Sequence, residues 1–168
     1  MFKYTFLTLF LFINPLFANA FTVQSSAFDN ETTIPTTFTC HGKNISPPLH
    51  WSKAPAGTQS FVLIMEDPDG VKGHWVHWLL FNIPAHLNQF STAMPLPKEA
   101  LSGNNSWNKK GYSGPCPPTG THRYFFKLYA LDTRLTVNSS VSKNDILNAM
   151  TGHVLATTAL IGVYSAPK

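Results

Sequence analysis

The 168-residue sequence predicts a mainly β domain. Three apolar runs rich in β-branched and aromatic residues, 61–65, 75–83 and 124–131, have the length of strands and are bounded by Pro, Gly and Asn residues. The two longer runs are nearly continuous, which is typical of strands that are buried on both faces. Only one later segment has the apolar spacing of a helix.

The first half of the mature chain is predicted to contain short strands joined by turns. Residues 36–38 form the first candidate strand, and run 61–65 the next. Pro68 cannot donate to a sheet and Gly70 permits a positive φ, so the chain should turn here. We expect it to return as the aromatic strand 75–83.

The second half is predicted to combine a long connection, a strand, a helix and a closing strand. Residues 89–118 are rich in Gly, Pro, Asn and Ser, which is typical of irregular and often functional loops. After strand 124–131, Ser142 resembles a helix N-cap, and an apolar stripe extends from Ile146 to Leu155. Residues 160–164 then read as a strand.

The first twenty residues are predicted to be a signal peptide. Lys3 precedes an apolar stretch from Thr5 to Phe17, and Ala18-Asn19-Ala20 follows as a small-x-small cleavage site. A membrane anchor is the alternative, but the stretch falls short of the roughly 20 residues that span a bilayer. We expect residues 21–168 to form one exported domain, periplasmic or secreted, without transmembrane anchoring.

The charge pattern argues against nucleic-acid binding. The formal net charge is +4, but the basic residues are scattered and Lys109-Lys110 is their only adjacent pair. Nucleic-acid-binding domains usually carry a clustered basic patch or stripe. No nucleic-acid partner is therefore predicted.

Cys40 and Cys116 are the only two cysteines. A lone pair in an exported protein is a candidate disulfide, because oxidising compartments favour the bridge. Both cysteines lie in turn-rich segments, so a bridge and two separate buried thiols both remain open. Two isolated cysteines supply too few soft ligands for a tetrahedral zinc site, and no metal or other cofactor is predicted.

The turn after run 61–65 contains the first group of candidate functional side chains. A hairpin would bring Asp67 toward His77, although Asp67 and Asp69 could be turn residues only. His77 could also be a core histidine satisfied by a hydrogen bond. His74 and His77 are three residues apart, so on a strand they face opposite sides and should not bind one metal ion together.

The second group lies where the long connection meets strand 124–131. Prolines stiffen the segment Gly114-Pro115-Cys116-Pro117-Pro118, and its glycine allows close approach, so a ligand could contact the backbone there. His122 and Tyr124 are two residues apart and share a strand face. Their donors suit a phosphate or carboxylate oxygen, but an edge strand with polar positions facing water would give the same pattern.

The chain resembles the phosphatidylethanolamine-binding proteins, especially their bacterial and archaeal branch, the Raf kinase inhibitor-like proteins. The motifs that carry the resemblance are Phe38-Thr39-Cys40-His41-Gly42-Lys43-Asn44-Ile45-Ser46-Pro47-Pro48-Leu49, Trp51, Asp67-Pro68-Asp69, Trp75-Val76-His77-Trp78, Asn82-Ile83-Pro84, Gly111-Tyr112-Ser113-Gly114-Pro115-Cys116-Pro117-Pro118, His122-Arg123-Tyr124 and Gly152-His153-Val154-Leu155-Ala156. They occur in the family's order over nearly the whole mature chain. The resemblance implies a sandwich-like pair of antiparallel sheets with small peripheral helices and an anion pocket at one end.

The resemblance also implies roles for individual residues. The pocket would contain the carboxylate of Asp67, the paired imidazoles of His77 and His122, and the nearby aromatic ring of Tyr124. A wall of the pocket would be formed by Gly114, Pro115 and Cys116, with Trp75 at the mouth. Asp69 would hold the turn rather than touch the ligand.

Binding of small anionic ligands is the predicted function. Such ligands include phosphate, phosphoester and phospholipid head groups, because two imidazoles can donate to their oxygens. Inhibition of a kinase or protease through protein interaction is the first alternative. A hydrolase using the histidines, with Cys116 as a candidate nucleophile, is less favoured, because the serine-hydrolase elbow, zinc-protease and phosphate-loop motifs are missing.

Overall fold

The computed structural model describes residues 20–70, 73–138 and 140–167. The predicted signal peptide lies outside the described residues except for Ala20. No helix within the described residues is long and apolar enough to cross a bilayer.

The described chain forms two β-sheets with one α-helix. Its elements are β1 Thr22–Gln24, β2 Thr32–Thr33, β3 Leu49–Ser52, β4 Ser60–Asp67, β5 Trp75–Pro84, β6 Gln89–Phe90, β7 Leu101–Ser102, β8 Thr121–Leu131, α1 Lys143–Ala149 and β9 Val154–Ser165. The small sheet has the order β1-β3-β6, and the large sheet has the order β2-β9-β8-β4-β5-β7. All pairs are antiparallel except β2 with β9. The mainly β, two-sheet prediction is confirmed.

Strands β4 and β5 of the large sheet are covered on both faces, as their continuous apolar runs indicate, whereas β8 and β9 are fully buried on one face only. On one face, Phe61, Leu63 and Met65 of β4 join a core with Trp51 and Phe90 of the small sheet. On the other face, a second core contains Val62, Ile64, Leu79, Phe81, Leu135, Val141 and Ile146, the last from α1. Burial of both faces removes apolar area from water and fixes the position of the central strands β4 and β5.

A β-bulge in β5 changes which side chains face the first core. Met65 is opposite Trp78 and Glu66 is opposite Val76, so His77 is an extra residue in the ladder. Trp78 packs in the first core and Val76 in the second. His77 packs against Tyr124, which is also in the first core. His77 and Trp78 therefore face the same side although they are adjacent.

Two predictions of local structure were wrong. Residues 36–38 form one turn of 3₁₀ helix rather than a strand, because the N–H of Phe38 donates to the carbonyl of Pro35. The predicted helix has Ser142 as its N-cap, as expected, but it ends at Ala149 instead of continuing to Leu155. Gly152 has φ +82, which ends a helix readily, and Val154 already belongs to β9.

The connection from Gln89 to Pro118 is more regular than predicted. It contains β6 and β7, which pair with β3 and β5. Beyond β7, the N–H of Asn104 donates to the carbonyl of Val141, and the N–H of Ser106 donates to the carbonyl of Val76. The bond to Val76 holds the connection along the outer edge of β5, and the bond to Val141 attaches it to the segment before α1.

Glu66 forms a charged cluster on the second face of the large sheet. Its side chain is almost fully buried, and its carboxylate accepts hydrogen bonds from Lys127 Nζ at 2.5 Å and from Lys143 Nζ. Burial raises the pKa of Glu66, but the two ammonium groups outweigh it and hold the pKa below its ordinary value of 4.5.

Glu66→Gln should lower the free energy of unfolding at neutral pH by about 2 kcal/mol, because it leaves two partly buried lysines without their anion. A carboxylate with a lowered pKa stabilises the fold above its unfolded pKa, and this stability is lost as the pH falls through the folded pKa. The difference between the two proteins should therefore shrink below about pH 4.5. Urea unfolding measures it, and the exposed Glu99→Gln is the matched control. An equal effect of both variants would contradict the role of the cluster.

Candidate functional site

The ends of three neighbouring strands of the large sheet lie next to one another. Strand β4 lies between β8 and β5 and is antiparallel to both, so its carboxyl end adjoins their amino ends. Asp67 ends β4, His77 lies near the start of β5, and His122 lies near the start of β8. Together they line a cavity of about 250 Å³, which we call the strand-end cavity. Its lining residues are Asp67, Gly70, Trp75, His77, Trp107, Cys116, Pro118 and His122.

Asp67 and His122 form a buried hydrogen-bonded pair in this cavity. His122 Nδ1 lies 2.7 Å from Asp67 Oδ2, and the side chains are 11% and 6% exposed. The other oxygen of Asp67 accepts the backbone N–H of Asp69 at 2.8 Å. Because a carboxylate only accepts, His122 carries a proton on Nδ1, and its Nε2 is the nitrogen left for a ligand.

His77 is oriented by a backbone carbonyl. Its Nδ1 lies 2.7 Å from the carbonyl oxygen of Ser113 and must donate to it. Burial lowers the pKa of His77 below its ordinary value of 6.5, although the Ser113 carbonyl and the charge of Asp67 oppose this shift. The neutral ring therefore has an accepting Nε2, and the protonated ring has a donating Nε2.

Asp69 fastens the turn between β4 and β5 to the start of β8. Its carboxylate accepts from Arg123 Nε at 2.9 Å, from Arg123 Nη2 at 2.7 Å and from the backbone N–H of Arg123 at 3.0 Å. The guanidinium group lowers the pKa of Asp69 to about 2. Asp69 is not among the residues that line the strand-end cavity. Its contacts are those of a residue that holds the loop.

A disulfide joins Cys40 to Cys116 and attaches the proline-rich segment to the rest of the domain. Two hydrogen bonds support the same junction, from the N–H of Cys40 to the carbonyl of Pro115 and from the N–H of Gly114 to Asn44 Oδ1. A Cβ added to Gly114 would lie 2.3 Å from a backbone oxygen, so this position requires glycine.

Within the proline-rich segment, Cys116 and Pro118 line the strand-end cavity, whereas Gly114 and Pro115 are not among its lining residues. Pro115 offers its carbonyl to Cys40, and Gly114 offers its N–H to Asn44. Gly114 and Pro115 therefore anchor the segment that carries Cys116 and Pro118.

Tyr124 lies beneath the strand-end cavity rather than on its surface. It is fully buried, and its ring meets the His77 ring edge-on with the centroids 5.2 Å apart. Burial raises the pKa of Tyr124, so the phenol stays neutral. Its buried hydroxyl makes no well-aligned hydrogen bond within the described part of the chain, although the backbone of Cys116 lies close enough to oppose the rise in its pKa. In this structure Tyr124 supports the ring of His77.

Trp107 and Gly70 line the cavity but were not predicted as site residues from the sequence, whereas Pro118 belongs to the proline-rich segment that was. The ring centroid of Trp107 lies 5.3 Å from that of Trp75 and 5.0 Å from that of His77. Trp107 is also 40% exposed, so it forms an aromatic rim. A tryptophan surrounded by Asn and Ser in a long loop was the available signal, because no core position explains it.

The strand-end cavity can offer two imidazole Nε2 atoms, one carboxylate and an aromatic rim. Protonated imidazoles donate to phosphate or carboxylate oxygens, and the rim can cover an apolar group attached to the anion. In the described part of the chain, no three His, Cys, Asp or Glu side chains are close enough together to hold a metal ion.

Comparison with known proteins gives one consistent family. The family model described as phosphatidylethanolamine-binding protein matches residues 24–165. A UPF0098 protein of Methanothermobacter thermautotrophicus is 46% identical over 146 residues, which cover 84% of this chain and 97% of the relative. A UPF0098 protein of Aquifex aeolicus is 41% identical over 148 residues, covering 84% and 86% of the two chains.

Two solved structures share the fold over their whole length. A phosphatidylethanolamine-binding protein homologue from Chlamydia trachomatis matches with a TM-score of 0.85 and 38% identity, covering 89% of this chain and 100% of the other. YbcL of E. coli, described as a member of the mammalian family, matches with a TM-score of 0.82 and 32% identity, covering 88% and 99%.

Proposed function

The chain belongs to the phosphatidylethanolamine-binding protein family, and we propose that it binds small anionic ligands of the phosphate, phosphoester or phospholipid head-group class in the strand-end cavity. One observation carries the proposal. The imidazoles of His77 and His122 each use Nδ1 for an acceptor within the protein, and both rings line the same cavity. This leaves two Nε2 atoms for the oxygens of one ligand.

The carboxylate of Asp67 determines which ligand charge the cavity favours. Its carboxylate lines the cavity and repels a dianion, so the cavity favours one negative charge. A phosphodiester meets this requirement, and a head group that also carries an amine could place that cation near the carboxylate. Affinity should be modest, because the attraction of the imidazoles and the repulsion of the carboxylate oppose each other.

His77 gives the binding a pH dependence. Burial lowers the pKa of His77 in the free protein, so near neutral pH its Nε2 presents a lone pair to the anion. Protonation turns Nε2 into a donor. Affinity for a phosphodiester should therefore rise as the pH falls through the pKa of His77, and bound ligand should raise that pKa.

Titration followed by NMR tests this expectation. The pKa of His77 is measured in the mature protein with and without glycerophosphoethanolamine, whose phosphodiester keeps one negative charge throughout. We expect an upward shift of roughly one unit when the ligand is bound, which corresponds to about tenfold tighter binding to the protonated ring. His50, whose Nε2 is hydrogen-bonded to Gln24 on the small sheet, should not respond. An unchanged His77 would contradict the proposal.

We also propose that the protein is exported and that it acts on a protein partner. The signal-like N-terminus predicts export, and the Cys40–Cys116 disulfide is a bond that persists in oxidising compartments. A ligand in the strand-end cavity would alter the surface around Trp107, where a partner such as a kinase or protease could recognise the filled state. Hydrolysis by a Cys116 thiolate has no support, because Cys116 is in the disulfide.

A further inference from the structure

A second cavity of about 350 Å³ lies apart from the strand-end cavity, and we call it the apolar cavity. Its lining includes Trp78, Leu80 and Phe90, the loop residues 94–97, and Lys110. The two cavities share no lining residue. Trp78, Leu80 and Phe90 also belong to the first core and are nearly fully buried. Core side chains thus reach the surface here as an apolar floor.

The cover of the apolar cavity cannot easily collapse onto this floor. It comes from the loop between β6 and β7, where Pro95 and Pro97 each fix a backbone φ. The N–H of Met94 donates to the carbonyl of Ser91, and the N–H of Ala100 donates to that of Pro97. Protein interiors normally fill such space, so a rigid apolar concavity of this volume suits a ligand.

The lining also includes the polar residues Ser46, Ser102, Lys110 and Tyr112. Ser102 Oγ accepts the N–H of Gly111 at 2.9 Å, and the hydroxyl of Tyr112 donates to the carbonyl of Phe38 at 2.6 Å. Lys110 is the one charged residue among those that line the cavity. An apolar floor with a single cation complements an amphiphile with one negative charge.

We propose that the apolar cavity binds a medium-chain carboxylate, with its hydrocarbon chain on Trp78, Leu80 and Phe90 and its carboxylate at Lys110. A rigid apolar site gains affinity with each methylene that leaves water, at about 0.8 kcal/mol, or roughly fourfold per methylene. Leu96 is 46% exposed at the mouth and would be covered by the bound chain.

Calorimetry on the mature protein with hexanoate, octanoate and decanoate tests the proposal, and all three are used below their micellar concentrations. Affinity should rise roughly fourfold per methylene up to the length that fills the cavity. Met94→Trp should fill the space and weaken decanoate at least about tenfold. Leu96→Trp changes an exposed position and serves as the second variant if Met94→Trp fails to fold. Lys110→Gln should weaken decanoate about two- to fivefold and leave decanol unchanged.

The strand-end cavity is the other place where a carboxylate could bind, so His122→Ala is the discriminating control. Decanoate affinity that survives His122→Ala but not Met94→Trp or Leu96→Trp supports the proposal. Loss of affinity in His122→Ala alone would overturn it, as would affinity that does not change with chain length. Equal effects of Lys110→Gln on decanoate and decanol would overturn the assignment of the carboxylate. Changes in the amide NMR chemical shifts of Leu96 and Gly111 on adding decanoate, without changes at Asp69, would locate the binding site independently.

Discussion

His122→Ala should weaken the binding of glycerophosphoethanolamine by roughly ten- to hundredfold at mildly acidic pH, the range expected when one charge-assisted hydrogen bond is lost. The variant removes one of the two imidazole Nε2 atoms that remain for the ligand. It also leaves the carboxylate of Asp67 without its imidazole partner at 2.7 Å, so the carboxylate repels the anion more strongly. Both effects act in the same direction, and calorimetry on the mature protein measures their sum.

The chain offers a matched control for this variant. His153 Nδ1 lies 2.8 Å from Asp132 Oδ1, which is the same type of pair, but both side chains are about half exposed and neither lines the strand-end cavity. His153→Ala should leave the affinity within about twofold of the original protein, as expected for an exposed pair. Equal losses in both variants would point to a general loss of stability, and no loss in His122→Ala would refute the role of the strand-end cavity.

The sequence predicts the strands that hold this site better than the loops that surround it. Strands β4, β5 and β8 have long apolar runs, and the burial of β4 and β5 on two faces follows from that composition. Strand β8 differs from the prediction, because only one of its faces is fully buried. The shared face of His122 and Tyr124 follows from strand alternation. The burial of Tyr124 beneath the cavity does not follow from alternation. Strand alternation predicts the face on which a side chain lies but not how deeply that side chain is buried.

The position of His77 required information that strand alternation lacks. A bulge makes His77 and Trp78 face the same side, and nothing in Trp75-Val76-His77-Trp78 marks the inserted residue. The bulged residue is held by Ser113, which lies 36 residues away in sequence and accepts its Nδ1 proton. Trp107 was missed for a similar reason, since only the folded loop brings it to Trp75 and His77. Contacts of this range cannot be derived from local spacing.

Replacing both Cys40 and Cys116 with alanine should lower the free energy of unfolding by about 4 kcal/mol, the value that chain entropy gives for a long closed loop. The two cysteines are 76 residues apart, so the bridge greatly restricts the unfolded chain. Urea unfolding of the mature protein measures the loss. Unfolding of the original protein in reductant is the matched control, because it opens the same bridge without changing a side chain. The two should agree within about 1 kcal/mol.

The same double replacement should change the ligand affinity much less than it changes the free energy of unfolding. The N–H of Cys40 still donates to Pro115 and the N–H of Gly114 still donates to Asn44, so the wall of the strand-end cavity stays docked in the folded state. We expect the affinity for glycerophosphoethanolamine to fall by less than about tenfold. The disulfide stabilises the protein mainly by restricting the unfolded chain, so its loss should change the folded cavity little. A larger fall in affinity with little change in unfolding would reverse this assignment. The disulfide would then act by holding Cys116 against the cavity rather than by restricting the unfolded chain.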